Sequence, residues 1–503
     1  MNSFKPMLLT SLKSYDRAQF AKDVTAGIIV AIIALPLSIA LALASGVGPE
    51  AGIFTAIVAG FVISALGGSC VQIAGPTAAF ATIVAGIVAR DGLEGLMTAT
   101  ILAGVFLIIM GFCHFGSLIK FIPYTITTGF TSGIAVTIVI GQLKDFCGVT
   151  YPDGVKPIET MEKLKAFAEN FSTISPDALI VGGVSLAILI VSPLIFKKIP
   201  GSLIAVIAGI LMVQFLPLHV STIGNLYTIS NALPTLHLPV FDMKLIQSAI
   251  PNAFTIAVLA AIESLLSCVV ADGMINSKHR SDTELIAQGA GNIASALFGG
   301  IPATGAIART AANIKNGGRT PVAGMVHSIT LVIVLVVLMP FAGMIPMPTI
   351  AAILFLVAYN MCQWRTFVHL VRTAPKSDII VLFTTFVLTV VFDLVVAIEI
   401  GMVLACLLFI KRMSEETHAD SWVYVDDDSP AVDEHLQKLP LEIRVYEITG
   451  PLFFGAADAI EHIVVKDFTK CLVLRMRSVP AIDSTAMNAL QNLTKLCESK
   501  GIT

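Results

Sequence analysis

Apolar positions in this chain come in runs too long to be one face of a soluble helix. Residues 24–45 are 22 in a row without a charge, and 178–196 and 321–340 are two more such runs. About 20 apolar residues cross the hydrocarbon of a bilayer, so runs of this length predict transmembrane helices. The first run is too long for a signal-peptide core, and a second span, 51–66, follows within a few residues, so it is read as a retained helix. Further spans are expected near 76–89, 95–113, 124–141, 202–216, 250–271, 285–299, 304–314, 349–362, 379–396 and 398–410. That makes about fourteen, several of them short or broken by Gly and Pro. After Arg412 the pattern changes. Residues 414–440 are polar, with Asp426, Asp427 and Asp428 in a row, and read as a linker. From 441 to 503 the chain reads as a small α/β unit: "IRVYEITGPLFFG" alternates as strands do around a turn, 456–464 suits a helix, "CLVLRM" is a buried strand, and Asp483-Ser484-Thr485 caps a helix over 486–499. This unit is short and reads as truncated at Thr503.

Composition excludes several classes. The chain is 56% apolar and 13% charged, about half the ~25% charge of a soluble domain. A cytosolic enzyme, a disordered chain and a nucleic-acid binder are all excluded, the last because a net charge of −3 gives no basic footprint. The eight cysteines sit mostly in apolar runs (Cys70, Cys113, Cys268, Cys406) without CxxC spacing, so they read as reduced structural residues and no metal site is expected. HExxH, P-loop and nucleophile-elbow motifs are absent, so neither an enzyme nor a cofactor is expected. Lys and Arg orient the spans. Lys5, Lys13, Arg17 and Lys22, then Lys120, Lys197, Lys198, Lys278, Arg280, Lys315, Arg319, Arg365, Arg372, Lys376, Lys411 and Arg412 fall in alternate loops. Fourteen spans then put both termini, residues 1–23 and everything after 413, in the cytoplasm of a cell whose plasma (inner) membrane holds 24–413.

The chain also repeats itself. "SALGG" at 64–68 recurs as "SALFGG" at 295–300, about 230 residues later and seven spans on. Each copy ends a short span, and each leads through a Pro-containing stretch to a small-residue helix start: Gly75-Pro76-Thr77-Ala78 and Pro302-Ala303-Thr304-Gly305. An odd number of spans inverts the second copy, and inverted repeats with broken helices point to a transporter site near the midplane. A helix starting inside the membrane leaves about four amides unpaired; an anion satisfies them, and the helix dipole favours it. The candidate donors are the amides of Thr77, Ala78, Ala79, Gly305 and Ala306, with the hydroxyls of Thr77 and Thr304. Glu263 is the sole charge of 251–271, with Ser267 one turn on; an intramembrane carboxyl reads as functional and can carry a proton. Arg309 follows the second helix start and either places positive charge beside an anion or sits at the helix's cytosolic end. His327 has no evident partner and reads as structural.

"ESLLSCVVADGM" (263–274), "QGAGNIASALFGGIPATGAIARTAANIKNGGRTP" (288–321) and "FDLVVAIEIGMVLA" (392–405) resemble the sulphate permease (SulP) anion transporters over essentially the whole chain. The resemblance implies an all-α polytopic membrane protein of fourteen segments in a 7+7 inverted repeat. A core (spans 1–4 and 8–11) moves against a gate (spans 5–7 and 12–14), a cytoplasmic α/β STAS domain follows, and the assembly is a homodimer. It also implies an anion held between spans 3 and 10, and likens Asp483-Ser484-Thr485 to a phosphorylatable regulatory loop at Ser484. Many members carry a pattern like "PQSMAYA" in the first span; here 36–42 reads "PLSIALA", which lacks two polar contacts to substrate. Sodium-coupled bicarbonate members carry Asp and Thr where this chain has Glu263 and Ser267, and Glu is closer to proton-coupled members. The expected function is therefore secondary transport of a small anion (dicarboxylate, bicarbonate or sulphate) by proton-coupled symport. Uncoupled or sodium-coupled anion passage and, with the same architecture, nucleobase transport are the alternatives.

Overall fold

The structure, a computed structural model, describes residues 4–117, 123–152, 157–195, 200–239, 242–392, 394–422, 440, 442–461, 463 and 468–503. Lys120, Lys197, Lys198 and Asp426 to Asp428 lie outside them. The chain forms two compact units, 1–374 with 382–399, and 375–381 with 400–503.

Helices make up most of the described residues of the first unit. Its helices are α1 (Arg17–Ala44), α2 (Pro49–Leu66), α3 (Ala81–Phe112), α4 (Tyr124–Cys147), α5 (Thr160–Glu169), α6 (Pro176–Ile195), α7 (Gly201–Phe215), α8 (Met243–Ile275), α9 (Ser281–Leu297), α10 (Ile307–Lys315), α11 (Val322–Ala342), α12 (Met347–Cys362) and α13 (Trp364–Thr373). The helices α14 (Lys376–Val391) and α15 (Leu394–Glu415) follow. Among the described residues eight helices are long and apolar enough to cross a membrane. Of the other expected spans, that at 398–410 falls on the 22-residue α15 and the rest on shorter or divided helices. Those at 76–89 and 95–113 share α3, which breaks at Gly92, where φ of 70° and ψ of −168° leave helical space. That at 304–314 is the nine-residue α10.

Packing follows residue size. α9 lies on α3 and α2, α11 on α1 and α2, and α8 on α3. Between helices in a membrane no hydrophobic force acts, so small residues set how closely backbones approach. A Cβ on Gly104 of α3 would stand 2.6 Å from the Gly289 carbonyl, and one on Gly289 of α9 would stand 2.5 Å from the Gly104 carbonyl. Neither site admits alanine without parting the helices. Two short strands, β1 (Ala74–Gly75) and β2 (Thr304–Gly305), interrupt the helical order.

In the second unit β3 (His418–Trp422) pairs antiparallel with β4 (Ile443–Thr449), which pairs parallel with β5 (Cys471–Ser478). The polarity of 418–422 places that stretch in the linker on sequence grounds; it is an edge strand instead, a position where one neighbour suffices and polar residues are tolerated. Helix α16 (Ser484–Ser499) closes over the sheet, burying Ile448, Leu452, Ala486 and Leu493. Asp483 caps α16, accepting from the Ala486 amide at 2.9 Å, and its other oxygen accepts from the Phe454 amide at 2.8 Å. Ser484 stands exposed at the first helical position.

Candidate functional site

The two breaks meet inside the first unit. α2 ends at Leu66 and the chain runs without α-helix to the turn Ala78–Phe80, while α9 ends at Leu297 and α10 begins at Ile307. β1 and β2 pair antiparallel, Ala74 opposite Gly305 and Gly75 opposite Thr304. The Ala306 amide donates to the Ile73 carbonyl at 2.9 Å. The two helix starts, 230 residues apart in sequence, are therefore bound edge to edge. Glycine is needed on both strands: a Cβ on Gly75 would stand 2.2 Å from Arg309 Nη1, and one on Gly305 would stand 2.0 Å from Gln72 Nε2.

Buried side chains take up backbone groups that hydrocarbon would leave bare. For the first break, Glu284 Oε2 accepts from the amides of Gly68 (2.8 Å) and Ser69 (3.2 Å), Thr310 Oγ1 accepts from the Ile73 amide (3.1 Å), and Asn313 Nδ2 donates to the Val71 carbonyl (2.9 Å). Glu284 Oε1 accepts from Gln72 (3.0 Å) and Gln288 (2.9 Å). For the second break, Thr55 Oγ1 accepts from the Ile301 amide (2.7 Å), and Asn292 both accepts from the Ala303 amide and donates to its carbonyl, each at 2.9 Å. The sequence reading missed this set, although its signal was present: Glu284, Gln288, Asn292 and Ser295 recur at helical spacing, a polar stripe on an otherwise apolar helix.

The nominated residues divide. Ala78 and Ala79 open the first turn of their half-helix, where helix geometry offers their amides no acceptor. The ladder's alternation turns the Gly305 amide away from its partner strand. Ala306 does not qualify as a donor, because its amide is spent on Ile73; the pairing that spends it is long-range and leaves no local signature. The free amides of α10 belong instead to Ile307, Ala308 and Arg309, the first helical turn. The two hydroxyls are also committed: Thr77 donates to Glu263 Oε2 at 2.9 Å and Thr304 donates to the Ala260 carbonyl at 2.9 Å. Ser267 donates to Thr310 Oγ1 at 3.4 Å, so it braces α10 against α8. Helix α8 thus reaches both half-helices, through Glu263 to the first and through Ser267 and Ala260 to the second.

Arg309 is 1% exposed and is the third residue of α10, near its start. Its Nη2 donates to Ser38 Oγ at 3.3 Å and to the Pro76 carbonyl at 3.2 Å. Nε and Nη1 have no partner among the described residues, nor does a carboxylate lie within 4 Å. An isolated buried charge costs several kcal/mol unless something compensates it. Arg309 therefore presents an uncompensated cation beside Pro76 and Thr77, at the mouth of the opposite half-helix. His327 is fully buried in α11 with neither ring nitrogen bonded among the described residues.

The model of the Sulfate permease family matches residues 20–385, and that of the STAS domain matches 437–503. The Bacillus subtilis (strain 168) protein named "Putative sulfate transporter YvdB" is 40% identical over 96% of this chain and 90% of its own. "Bicarbonate transporter BicA" of Picosynechococcus sp. is 34% identical over 93% of this chain and 85% of its own. The solved structure of the murine Solute Carrier 26 family member A9 anion transporter, in the inward-facing state, shares the fold, with a TM-score of 0.88 at 18% identity over 99% of this chain and 87% of that one.

Proposed function

Because the chain belongs to the sulfate permease family and carries a C-terminal STAS domain, we propose that it moves a small anion across the plasma membrane by proton-coupled symport. The unpaired Arg309 guanidinium, buried where two half-helix N-termini converge, carries this reading. An anion seated there takes the free N–H groups of Arg309 and the amides of Ala78, Ala79, Ile307 and Ala308, with the dipoles of both half-helices favouring negative charge. A nucleobase would leave the guanidinium uncompensated, which sets that alternative aside. BicA is named as a bicarbonate transporter, so bicarbonate leads the substrates to test, with sulphate and dicarboxylates beside it.

Glu263 supplies the coupling. Its carboxylate is tied to Thr77, the residue next to the Pro76 that holds Arg309. Ionised, it sets a negative charge beside the anion's place; protonated, it removes that repulsion, so proton and anion favour each other's binding. The loaded core, spans 1–4 and 8–11, then moves against the gate, spans 5–7 and 12–14, in a homodimer with cytoplasmic termini. A phosphate on the exposed Ser484 would sit at the N-terminus of α16, where negative charge is favoured. Proteoliposome uptake of bicarbonate, sulphate, dicarboxylates and chloride, with and without pH or sodium gradients, tests the reading. Accumulation driven by a pH gradient alone is expected; accumulation that follows sodium, or none with either gradient, overturns proton coupling.

A further inference from the structure

A second cavity in the first unit has no role in the site just described. It encloses about 450 Å³ and begins on α3 at Thr82 and Ile83, runs past Gly86 and Ile87 and ends at Arg90. These positions follow i, i+1, i+4, i+5 and i+8, one face of the half-helix whose first turn holds Ala78 and Ala79. At about 1.5 Å per residue, the deep end at Thr82 lies roughly 5 Å along the helix from the Ala79 amide. Ile134 and Thr137 of α4, Asn252 of α8 and Thr389 of α14 form the other walls, and α5 with the residues before it lies across the mouth. The charge pattern assigns that mouth to the extracellular side.

The charges around the mouth are not equivalent. Arg90 is largely exposed and pairs with Asp91, Nε to Oδ2 at 3.3 Å. Glu162 Oε2 accepts from the amides of Ile158 (3.1 Å) and Glu159 (3.3 Å), and the Glu159 side chain accepts from the Glu162 amide in return. This capping box seats both carboxylates on the positive end of α5, whose dipole, equivalent to about half a charge, offsets part of their charge. Lys163 is different. Its ammonium has no hydrogen bond or ion pair to any described residue, the backbone amide alone donating to the Glu159 carbonyl at 2.9 Å, and a Cβ on Gly141 of α4 would lie 4.0 Å from its Nζ, which places the ammonium over a bare stretch of backbone. Burial pulls its pKa below the ordinary lysine range, with no carboxylate acting to hold it up. The mouth therefore has two carboxylates hydrogen-bonded to amides, one arginine paired with an aspartate, and one ammonium without a side-chain partner among the described residues.

We propose that this cavity is a second anion site, an entry vestibule in which Lys163 collects a small oxyanion or carboxylate before it passes down the α3 face to the half-helix amides. The inference rests on the reading that the transported species is an anion. The Lys163 ammonium, without an ion-pair partner on the cavity wall, offers a small anion a local contact that the hydrogen-bonded carboxylates and the paired arginine of the mouth do not.

The test needs no identified substrate. Gly86 lines the cavity, and a Cβ there meets nothing within 4 Å, so Gly86→Cys places a thiol in the vestibule of the full-length protein. Its rates of modification by a sulfonate-bearing and a trimethylammonium-bearing methanethiosulfonate are compared, with the modified site read by peptide mass. The anionic reagent is expected to be favoured, and Lys163→Gln to lower that preference about 3- to 10-fold, while Lys163→Arg keeps it. Sulphate, added as an anion probe at constant ionic strength, is expected to slow the labelling in the parent and not in Lys163→Gln. Either an unchanged preference in Lys163→Gln or the absence of protection by sulphate overturns the vestibule. Arg309→Ala disables the deep site and is expected to leave the preference intact, so failure of the vestibule is distinguishable from failure of the anion reading. Thr137→Cys on the opposite wall serves as a second reporter if Gly86→Cys does not fold.

Discussion

The two half-helices descend from matching sequence and face each other across one short ladder, yet they are equipped differently. The first enters through a 3-10 turn of Ala78–Phe80 and carries no charge in its opening residues; its cap residue Thr77 is bonded to the carboxylate of Glu263. The second starts directly as α-helix and carries Arg309 at its third position, while its own threonine, Thr304, is bonded to a backbone carbonyl. Their loops differ too. The first is held by side chains of α9 and α10, Glu284, Thr310 and Asn313; the second is held by Thr55 of α2 and Asn292 of α9. The symmetric part is two helix N-termini with free amides. The unsymmetric part is a fixed cation on one side and a titratable group on the other, the pair on which the proposed proton coupling rests.

Removing the titratable group should produce the largest effect. Glu263→Gln keeps the shape and the bond to Thr77 but carries no exchangeable charge. pH-driven accumulation in proteoliposomes should vanish while the anion still binds; accumulation equal to the parent's would exclude Glu263 as the coupling residue. Removing the fixed cation comes next. A hydrogen bond to a charged group is worth roughly 1.5–3 kcal/mol, so Arg309→Ala should weaken the apparent Kd about 10-fold or more. Arg309→Lys should fall between, since it keeps the charge and loses the planar fork. Parental affinity in both would place the anion elsewhere.

A subtler pair exchanges the matched glycines. Gly75→Ala brings a methyl 2.2 Å from Arg309 Nη1, the end of a flexible chain, so the guanidinium should yield and the fold survive. A loss of affinity of several-fold is expected although no charge is removed. Gly305→Ala instead strikes Gln72, whose Nε2 donates to Glu284 and whose Oε1 accepts from Cys268. That change should lower the melting temperature in detergent by disturbing a buried polar network, at about 1–3 kcal/mol. Equal effects of the two substitutions on affinity would erase the distinction between the sides.

Sequence made the broken helices, Glu263 and Arg309 legible because each is a local anomaly: a Pro and Gly cluster ending an apolar run, or a lone charge inside one. What it hid is what depends on pairing. The ladder that spends the Ala306 amide joins residues 233 apart in the chain, and the bonds that commit the Thr77 and Thr304 hydroxyls reach to α8 across 186 and 44 residues. Such contacts leave no trace in spacing. The polar stripe of α9 was readable by period, but only the fold shows that it braces the loop that follows α2.

The two threonines give the smallest and most discriminating comparison. They occupy matched positions and are alike in chemistry, so symmetry predicts equal consequences of removing either hydroxyl. The bonds predict otherwise. Thr304 Oγ1 lies fully buried on the Ala260 carbonyl, and Thr304→Val preserves shape while deleting one neutral hydrogen bond, at about 1 kcal/mol of stability. Anion affinity and the pH dependence of uptake should both stay near parental. Thr77→Val deletes a hydrogen bond to the carboxylate proposed as the coupling group, so on that proposal the change should register in the pH profile of uptake more than in stability. Measuring both variants for melting temperature and for uptake across pH separates the cases. If Thr304→Val moves the pH profile as far as Thr77→Val does, the titratable side of the site is not confined to Glu263, and the division of roles between the half-helices fails.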